Sequence, residues 1–174
     1  MAYELDQFIA DTRATLKRDP GPAGREQVRA NLERLLANKD FIAGTCGDDA
    51  PTGLKVLYED KDLGFTILAH GYEGAKNSSP HDHGPTWAIY GQASGETIMT
   101  DWDVVERPSG GNPGKARHVR DYTMKPGMAY LYEPGVLHSP RRENSTRLLR
   151  IEGQNLDRIK RLPYVAVQAA AAAE

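Results

Sequence analysis

Short runs of apolar, aromatic and β-branched residues, separated by glycines, follow one another from residue 52 to residue 152. Each run has the length of a strand and is too short for a typical globular helix. Strands at this density, with no helices between them, favour an antiparallel sandwich or barrel over an α/β fold. The predicted strands are 53–58, 64–71, 85–91, 95–101, 117–124, 128–133, 136–140 and 146–152, with a flexible loop at 107–114.

Residues 1–40 have a helical pattern instead. Apolar side chains fall near helical spacing in two stripes, the first with Leu5, Phe8, Ile9 and Leu16 and the second with Val28, Leu32, Leu35 and Leu36. The prolines and glycines of residues 20–24 separate the two stripes. The sequence therefore predicts short N-terminal helices (1–40) packed on a β domain (41–165), followed by a low-complexity tail (166–174).

The composition is that of an ordinary globular chain of 174 residues with a net charge of −2. This charge gives no basic field for nucleic acid, and no apolar run approaches the roughly 20 residues that cross a bilayer. The N-terminus has no signal-peptide pattern, and the single cysteine, Cys46, fits a reducing compartment, so we expect a cytoplasmic protein. A local basic cluster, which we expect to be a solvated surface, is formed by Arg141, Arg142, Arg147 and Arg150.

The segment His81-Asp82-His83 and the distant His138 give the strongest functional signal. In an extended segment, His81 and His83 point to the same face, because side chains alternate along a strand. His138 follows the Pro134-Gly135 corner, which would open another strand. Three imidazoles on neighbouring strands can bind one divalent metal ion and leave positions open for water, oxygen or substrate. We therefore predict a metal site of His81, His83 and His138.

Other chemically active side chains near these histidines have ordinary roles by default. We expect His70 to be structural or exposed rather than a fourth ligand, and His118 to be exposed. Asp82 lies on the opposite face and should bond backbone or water. Aromatic residues alternate along the flanking strands, where one set should fill the core: Trp87, Tyr90, Tyr130 and Tyr132.

The two histidine segments resemble the two motifs of the cupin superfamily. The first motif normally has a glutamate three or four residues after its second histidine, where this chain has Trp87 and Ala88, and a glycine that Gly91 matches. The second motif is matched, with loosened spacing, by Gly127, Pro134, His138 and Asn144. The resemblance implies a mainly β fold, the cupin double-stranded β-helix (jelly roll), with short N-terminal helices and a three-histidine metal site.

Residues 81–91, 95–97 and 101–102 further resemble the cysteine (thiol) dioxygenases, which are cupins with three histidines and no glutamate. This resemblance implies Fe(II) as the cofactor and dioxygen as a co-substrate. In that family both oxygen atoms are added to a thiol sulfur, which gives a sulfinate. Zinc, nickel or manganese could replace iron in the purified protein, because imidazole binds all of these metals.

The chain departs from that family around the substrate. A relay of serine, histidine and tyrosine in the family falls on the strand 146–152, where Arg150 and Glu152 stand instead. The family's carboxylate-binding arginine falls near Lys55. We therefore predict Lys55 and Arg150 as substrate anchors and Tyr90, Arg150 and Glu152 as catalytic candidates, and the substrate stays open.

Two classes of function follow from these patterns. The first is a mononuclear iron dioxygenase that acts on a small anionic substrate, with a thiol as the leading class. The alternative is a non-redox metal-binding cupin, either a small-ligand sensor or a metal-assisted isomerase or lyase. The expected partners are a small-molecule substrate and dioxygen, with no nucleic acid and no membrane, and family analogy allows a homodimer.

Overall fold

The computed structural model describes residues 2–156, 159 and 161–167 of the chain. Three helices come first: α1 (Leu5–Arg18), α2 (Pro22–Leu36) and α3 (Lys39–Cys46). The strands follow in the order β1 (Gly53–Glu59), β2 (Thr66–Tyr72), β3 (Lys76–Asn77), β4 (Ala88–Ser94), β5 (Thr97–Glu106), β6 (Gly114–Met124), β7 (Ala129–Tyr132), β8 (Leu137–Arg142), β9 (Thr146–Glu152) and β10 (Tyr164–Val167).

These strands form two five-stranded sheets. The first sheet has the order β1-β2-β9-β4-β7, and the second has the order β10-β6-β5-β8-β3. All the strand pairs are antiparallel except β10 with β6. Residues of the two sheets share one buried cluster, in which Tyr90 and Tyr132 of the first sheet meet Met99 and Met124 of the second. The predicted mainly β jelly roll with N-terminal helices is confirmed.

The helices cover the outer face of the first sheet. Their stripes supply buried side chains such as Phe8 and Leu32, and the sheet supplies Ile89, Leu149 and Ile151 to the same cluster. Each large apolar side chain that is fully buried in this way contributes roughly 1.5–3 kcal/mol to stability. The central strands of the first sheet are therefore covered on both faces, by helices outside and by the second sheet inside, while most of the edge strand β1 is exposed.

Close approach of α2 to the first sheet depends on Gly91. A Cβ atom at this position would lie 2.8 Å from Cδ2 of Leu32 and 2.9 Å from Cδ1 of Leu36. A methyl group there would force both leucine side chains to move, because contacts this short are repulsive. The absence of a side chain at Gly91 therefore lets the apolar stripe of α2 pack closely against the sheet.

The structure contains elements that the sequence pattern did not predict. A third helix, α3, begins after Asn38, whose side-chain oxygen accepts a hydrogen bond from the backbone N–H of Phe41. The short strands β3 and β10 were also missed. The predicted tail begins inside β10, and its residues 168–174 lie outside the described part. None of the helices that the structure describes is both long and apolar enough to cross a membrane.

Candidate metal centre

Backbone pairing brings the distant histidines together. His138 is the second residue of β8, and His81 forms an isolated antiparallel bridge with it. The backbone N–H of His81 donates to the carbonyl of His138 over 3.0 Å, and the reverse bond is 2.9 Å long. His83 follows two residues later, just before Gly84, whose φ of +61° turns the chain towards β4. The expectation that the third histidine comes from a neighbouring strand is confirmed.

The three imidazoles form one compact cluster. The nitrogen atoms that they offer as ligands all lie within 4.8 Å of one another. The ring centroid of His138 is 4.7 Å from that of His81 and 4.7 Å from that of His83. His83 and His138 are fully buried, while His81 is partly exposed. One ion can therefore reach all three histidines, with its accessible side next to His81.

The cluster is electrically neutral before any metal binds. Burial, and then the neighbouring His81 and Arg150, lower the pKa of His83 to about 3. Burial and the two other histidines lower the pKa of His138 far below its usual value, and burial also lowers the pKa of His81. Neutral imidazole is the form that binds metal ions, so the site is ready for a cation at physiological pH.

Hydrogen bonds hold the rings and leave nitrogens for a metal. Nδ1 of His81 lies 2.9 Å from the carbonyl of Ser79, and Nδ1 of His138 lies 3.2 Å from the carbonyl of Val136. A carbonyl only accepts, so these Nδ1 atoms carry the proton and each Nε2 keeps its lone pair. Among the described residues, Nε2 of His138 and Nδ1 of His83 are buried without a hydrogen-bond partner. Such unsatisfied buried nitrogens fit a bound metal ion.

Two tyrosines of the inner face support the histidines. The hydroxyl of Tyr90 lies 2.9 Å from Nε2 of His83. The ring of Tyr132 stacks on His138, with centroids 3.9 Å apart and planes at 22°. A free lone pair on Nδ1 of His83 requires the proton of this ring to be on Nε2, which then donates to the Tyr90 hydroxyl oxygen. Burial raises the pKa of Tyr90, so its phenol stays protonated and can donate a hydrogen bond to another acceptor. Tyr90 and Tyr132 therefore belong to the metal centre as well as to the core.

A buried ion pair lies beside Tyr90. Arg150 of β9 is paired with Tyr90 in the sheet, and its guanidinium carbon is 5.1 Å from the centre of the Tyr90 ring. The same guanidinium forms a hydrogen-bonded salt bridge with Glu152. Arg150 is 8% exposed and Glu152 is 3% exposed, so both face the interior. The structure thus brings the three predicted catalytic candidates together with His83.

Lys55 is the predicted site residue that the structure keeps apart from Arg150. Along β1, Leu54 pairs with His70 and Val56 pairs with Leu68, on the inner side of the first sheet. Because neighbours on a strand point to opposite faces, Lys55 points outwards. It is exposed and lines a small cavity with Cys46 of α3.

The basic cluster is only in part the solvated surface that we expected: Arg141 is exposed and Arg147 is half-buried, but the other two arginines are not on the surface. Arg142 and Arg150 are buried inside the barrel, with Arg142 only 3% exposed. The guanidinium carbon of Arg142 lies 3.9 Å from the centre of the Tyr72 ring. Burial lowers the pKa of Arg142. The prediction was wrong for these two residues because they lie on β8 and β9 at positions that face the interior, which the run of charges in the sequence does not indicate.

His70 has a larger role near the site than the sequence suggested. Its ring stacks on Tyr72 at 4.0 Å, and its Nδ1 accepts a hydrogen bond of 3.1 Å from Arg150. Burial, followed by the charges of Arg150 and Arg142, lowers its pKa to about 4. Leu68 and His70 alternate on one face of the predicted strand 64–71, and Tyr72 follows directly after that strand, which was the available signal. In contrast, His118 is exposed and Asp82 accepts a hydrogen bond from the backbone of Gly84, as expected.

Comparisons with known proteins show a similarity of fold alone. No protein-family model matches the chain, and no curated protein matches it. Similar solved structures include the cupin domain of Cnp3 from Schizosaccharomyces pombe, with 10% identity and a TM-score of 0.43 over 59% of this chain and 64% of that one. KdgF from a Halomonas species has 12% identity and a TM-score of 0.44, covering 61% of this chain and 82% of its own.

A third similar structure is the DMSP lyase DddQ from Ruegeria pomeroyi DSS-3. It has 13% identity and a TM-score of 0.44 over 64% of this chain and 50% of that chain. The matched region thus spans less than two thirds of the Cnp3 chain and half of the DddQ chain. At such low identities and scores, no activity or ligand is transferred from these proteins to this chain.

Proposed function

We propose that the protein is a mononuclear non-haem iron dioxygenase that acts on a small anionic substrate, with a thiol oxidised to a sulfinate as the leading class. The observation that carries the proposal is the buried cluster of His81, His83 and His138, two of whose ring nitrogens lack a partner among the described residues. The neighbouring Tyr90 and Arg150 supply a phenol and a guanidinium beside it.

The charge of the site favours an anionic ligand. Three neutral imidazoles would leave the 2+ charge of an iron ion uncompensated, so a thiolate or an enolate is a favourable additional ligand. When bound, ferrous iron supplies the redox chemistry that lets dioxygen react with a thiolate. Zinc, nickel or manganese would suit the same nitrogen donors without making the protein an oxygenase.

The proposed reaction balances without a further reductant. A thiolate and dioxygen give a sulfinate, so two sulfur–oxygen bonds form and the oxygen–oxygen bond breaks. The sulfur is oxidised by four electrons and dioxygen is reduced by four, with no net uptake of protons. In this scheme Arg150 binds an anionic group of the substrate, Glu152 fixes the guanidinium of Arg150, and Tyr90 donates a hydrogen bond next to His83.

Glu152 supports a second candidate function. It is a buried carboxylate within the same interior, where it also accepts a hydrogen bond of 3.2 Å from the backbone N–H of Leu156. A carboxylate near a Lewis-acidic metal can move a proton from a carbon atom, which is the chemistry of an isomerase or lyase. Such an enzyme would turn over without oxygen, and a ligand-binding cupin would show no turnover at all.

An oxygen-electrode assay tests the proposal. The protein is loaded anaerobically with Fe(II) and offered a panel of small thiols, with the zinc-loaded protein as the control. With the iron-loaded protein we expect one molecule of dioxygen to be consumed for each sulfinate formed. With the zinc-loaded protein we expect neither oxygen uptake nor sulfinate. Turnover of a substrate under strictly anaerobic conditions would favour the isomerase or lyase instead.

A further inference from the structure

A cavity of about 200 Å³ opens beside Arg150, with room for roughly six or seven water molecules. It lies against the inner face of the first sheet, at the edge formed by β1. Its lining residues are Leu54, Val56, Leu68, His70, Arg150, Glu152, Asn155, Leu156 and Arg161. The cavity is therefore bounded by two of the predicted catalytic residues and by positions with no role in the proposed reaction so far.

One wall of this cavity is apolar. Leu54 and Val56 project from β1 with 45% and 51% of their surface exposed, although they face the inner side of the sheet. Leu68, which is 3% exposed, separates Val56 from Arg150 in the same row of the sheet. Large apolar side chains that remain exposed inside a cavity are typical of a site for an apolar part of a ligand.

The other wall carries more positive than negative charge. Of the described lining residues, Arg150 and Arg161 are cationic and Glu152 is anionic, while His70 is neutral at physiological pH because its pKa is about 4. Arg161 is exposed, and the guanidinium carbon of Arg150 lies 5.1 Å from the centre of the Tyr90 ring, whose hydroxyl is 2.9 Å from Nε2 of His83. The cavity thus combines a cationic end close to the metal centre with an apolar end at β1.

We propose that this cavity selects a small amphipathic anion, with its anionic group at Arg150 and Arg161 and an apolar body against Leu54, Val56 and Leu68. The substrate class is then a short-chain acid or thiol acid with a hydrocarbon body, rather than a compact zwitterion. The proposal rests on the proposed function for the identity of the reaction centre. The binding specificity itself follows from the lining of the cavity.

Calorimetric titration of the zinc-loaded protein with hexanoate, propionate and hexanamide tests this proposal. Hexanoate has three more methylene groups than propionate, and each fully buried methylene group contributes about fourfold to affinity, so hexanoate should bind up to about 60-fold more tightly than propionate. Hexanamide should bind far more weakly than hexanoate, because it lacks the charge. Equal affinities for hexanoate and propionate, or for hexanoate and hexanamide, would overturn the proposal.

Single substitutions with a matched control test whether the ligand binds in this cavity. Val56→Thr keeps the shape of the side chain and should reduce the preference for hexanoate over propionate by several-fold. Val119→Thr is the control, because Val119 is 49% exposed on β6 of the other sheet. Arg161→Gln should weaken hexanoate and propionate equally. A Val56→Thr variant that changes the oligomeric state but not the preference would assign the apolar wall to a contact between chains and overturn the proposal.

The two proposals fail in different ways. Selective binding of hexanoate, lost in Val56→Thr, without any oxygen uptake by the iron-loaded protein would retain the amphipathic-anion site and remove the dioxygenase. Oxygen uptake with thiols that shows no preference for a hydrocarbon body would retain the dioxygenase and remove the amphipathic-anion site. The calorimetric measurement does not depend on turnover, so each result concerns one proposal.

Discussion

Both faces of the first sheet are buried at its central strands, yet the outer face is apolar and the inner face carries polar and charged groups. On β9, Leu149 and Ile151 point towards the helices, while Arg150 and Glu152 point between the sheets. The outer layer is aliphatic and aromatic, whereas the inner layer holds histidines, tyrosines and an ion pair. The comparison indicates that the helices supply the apolar packing that lets the barrel interior carry polar groups for chemistry.

The largest effect should come from removing a histidine of the inner layer. His138→Gln takes away one of three metal ligands, and even outer-shell partners of a metal contribute about 10- to 100-fold. We expect the oxygen uptake of the iron-loaded protein to fall by at least about 100-fold, with little change in the urea midpoint of the metal-free protein. Full activity in this variant would contradict the assignment, and His118→Gln serves as the exposed control.

Truncation of a side chain in the outer layer should lower stability and leave metal binding unchanged. Leu149→Ala leaves a cavity between the sheet and the helices, which costs about 2–5 kcal/mol of unfolding free energy. Metal binding by the folded variant should be unchanged, because Leu149 points away from the histidines. Urea denaturation and metal analysis check this, with Val119→Ala as a surface control. Loss of metal from folded Leu149→Ala protein would mean that the two layers are not separate.

The buried ion pair should matter more for binding than for stability. Replacing both partners with apolar residues, in Arg150→Met with Glu152→Leu, should leave the free energy of unfolding unchanged or raise it by about 1–4 kcal/mol. The same double variant should bind anionic substrates about 10- to 100-fold more weakly, since a charged hydrogen bond contributes roughly 1.5–3 kcal/mol. Strong destabilisation of the double variant with unchanged affinity for anionic substrates would mean that the ion pair serves stability rather than binding.

The smallest effect concerns the pH dependence of stability. In the folded protein the pKa of His70 is about 4, whereas an unfolded histidine binds a proton below about pH 6.5. The unfolded state therefore holds more protons between these values, and stability falls as the pH is lowered from 6.5 to 4. His70→Gln should reduce the slope of the unfolding free energy against pH by an amount that corresponds to less than one bound proton. Urea unfolding at several pH values measures this slope. An unchanged slope would show that His70 does not titrate in this way.

The sequence was sufficient for eight of the ten described strands and for the histidine cluster, for a physical reason. Alternation with a period of two gives the face of each side chain, and His81, His83 and His138 follow it directly. Strand lengths and glycine positions indicated an antiparallel sandwich or barrel in the same way, and the resemblance to the cupin motifs implied the jelly roll. These features are local in the chain, so no knowledge of sheet closure was needed.

Positions that depend on how the sheets close were harder to predict. The burial of Arg142 of β8 against Tyr72 of β2 needs the second sheet to cover the first. The outward position of Lys55 depends on register, where a shift of one residue exchanges the two faces. The pairing of β10 with β6 joins segments that are distant in the chain, and no local pattern indicates it.

Metal stoichiometry at equilibrium is the most direct test of the three-histidine centre. Metal-free protein, His138→Gln and His118→Gln would each be dialysed against Fe(II) under anaerobic conditions and analysed for bound iron. We expect about one ion per chain in the parent protein and in His118→Gln, and almost none in His138→Gln. Equal iron content in all three proteins, or no iron in any of them, would contradict the assignment of the metal centre.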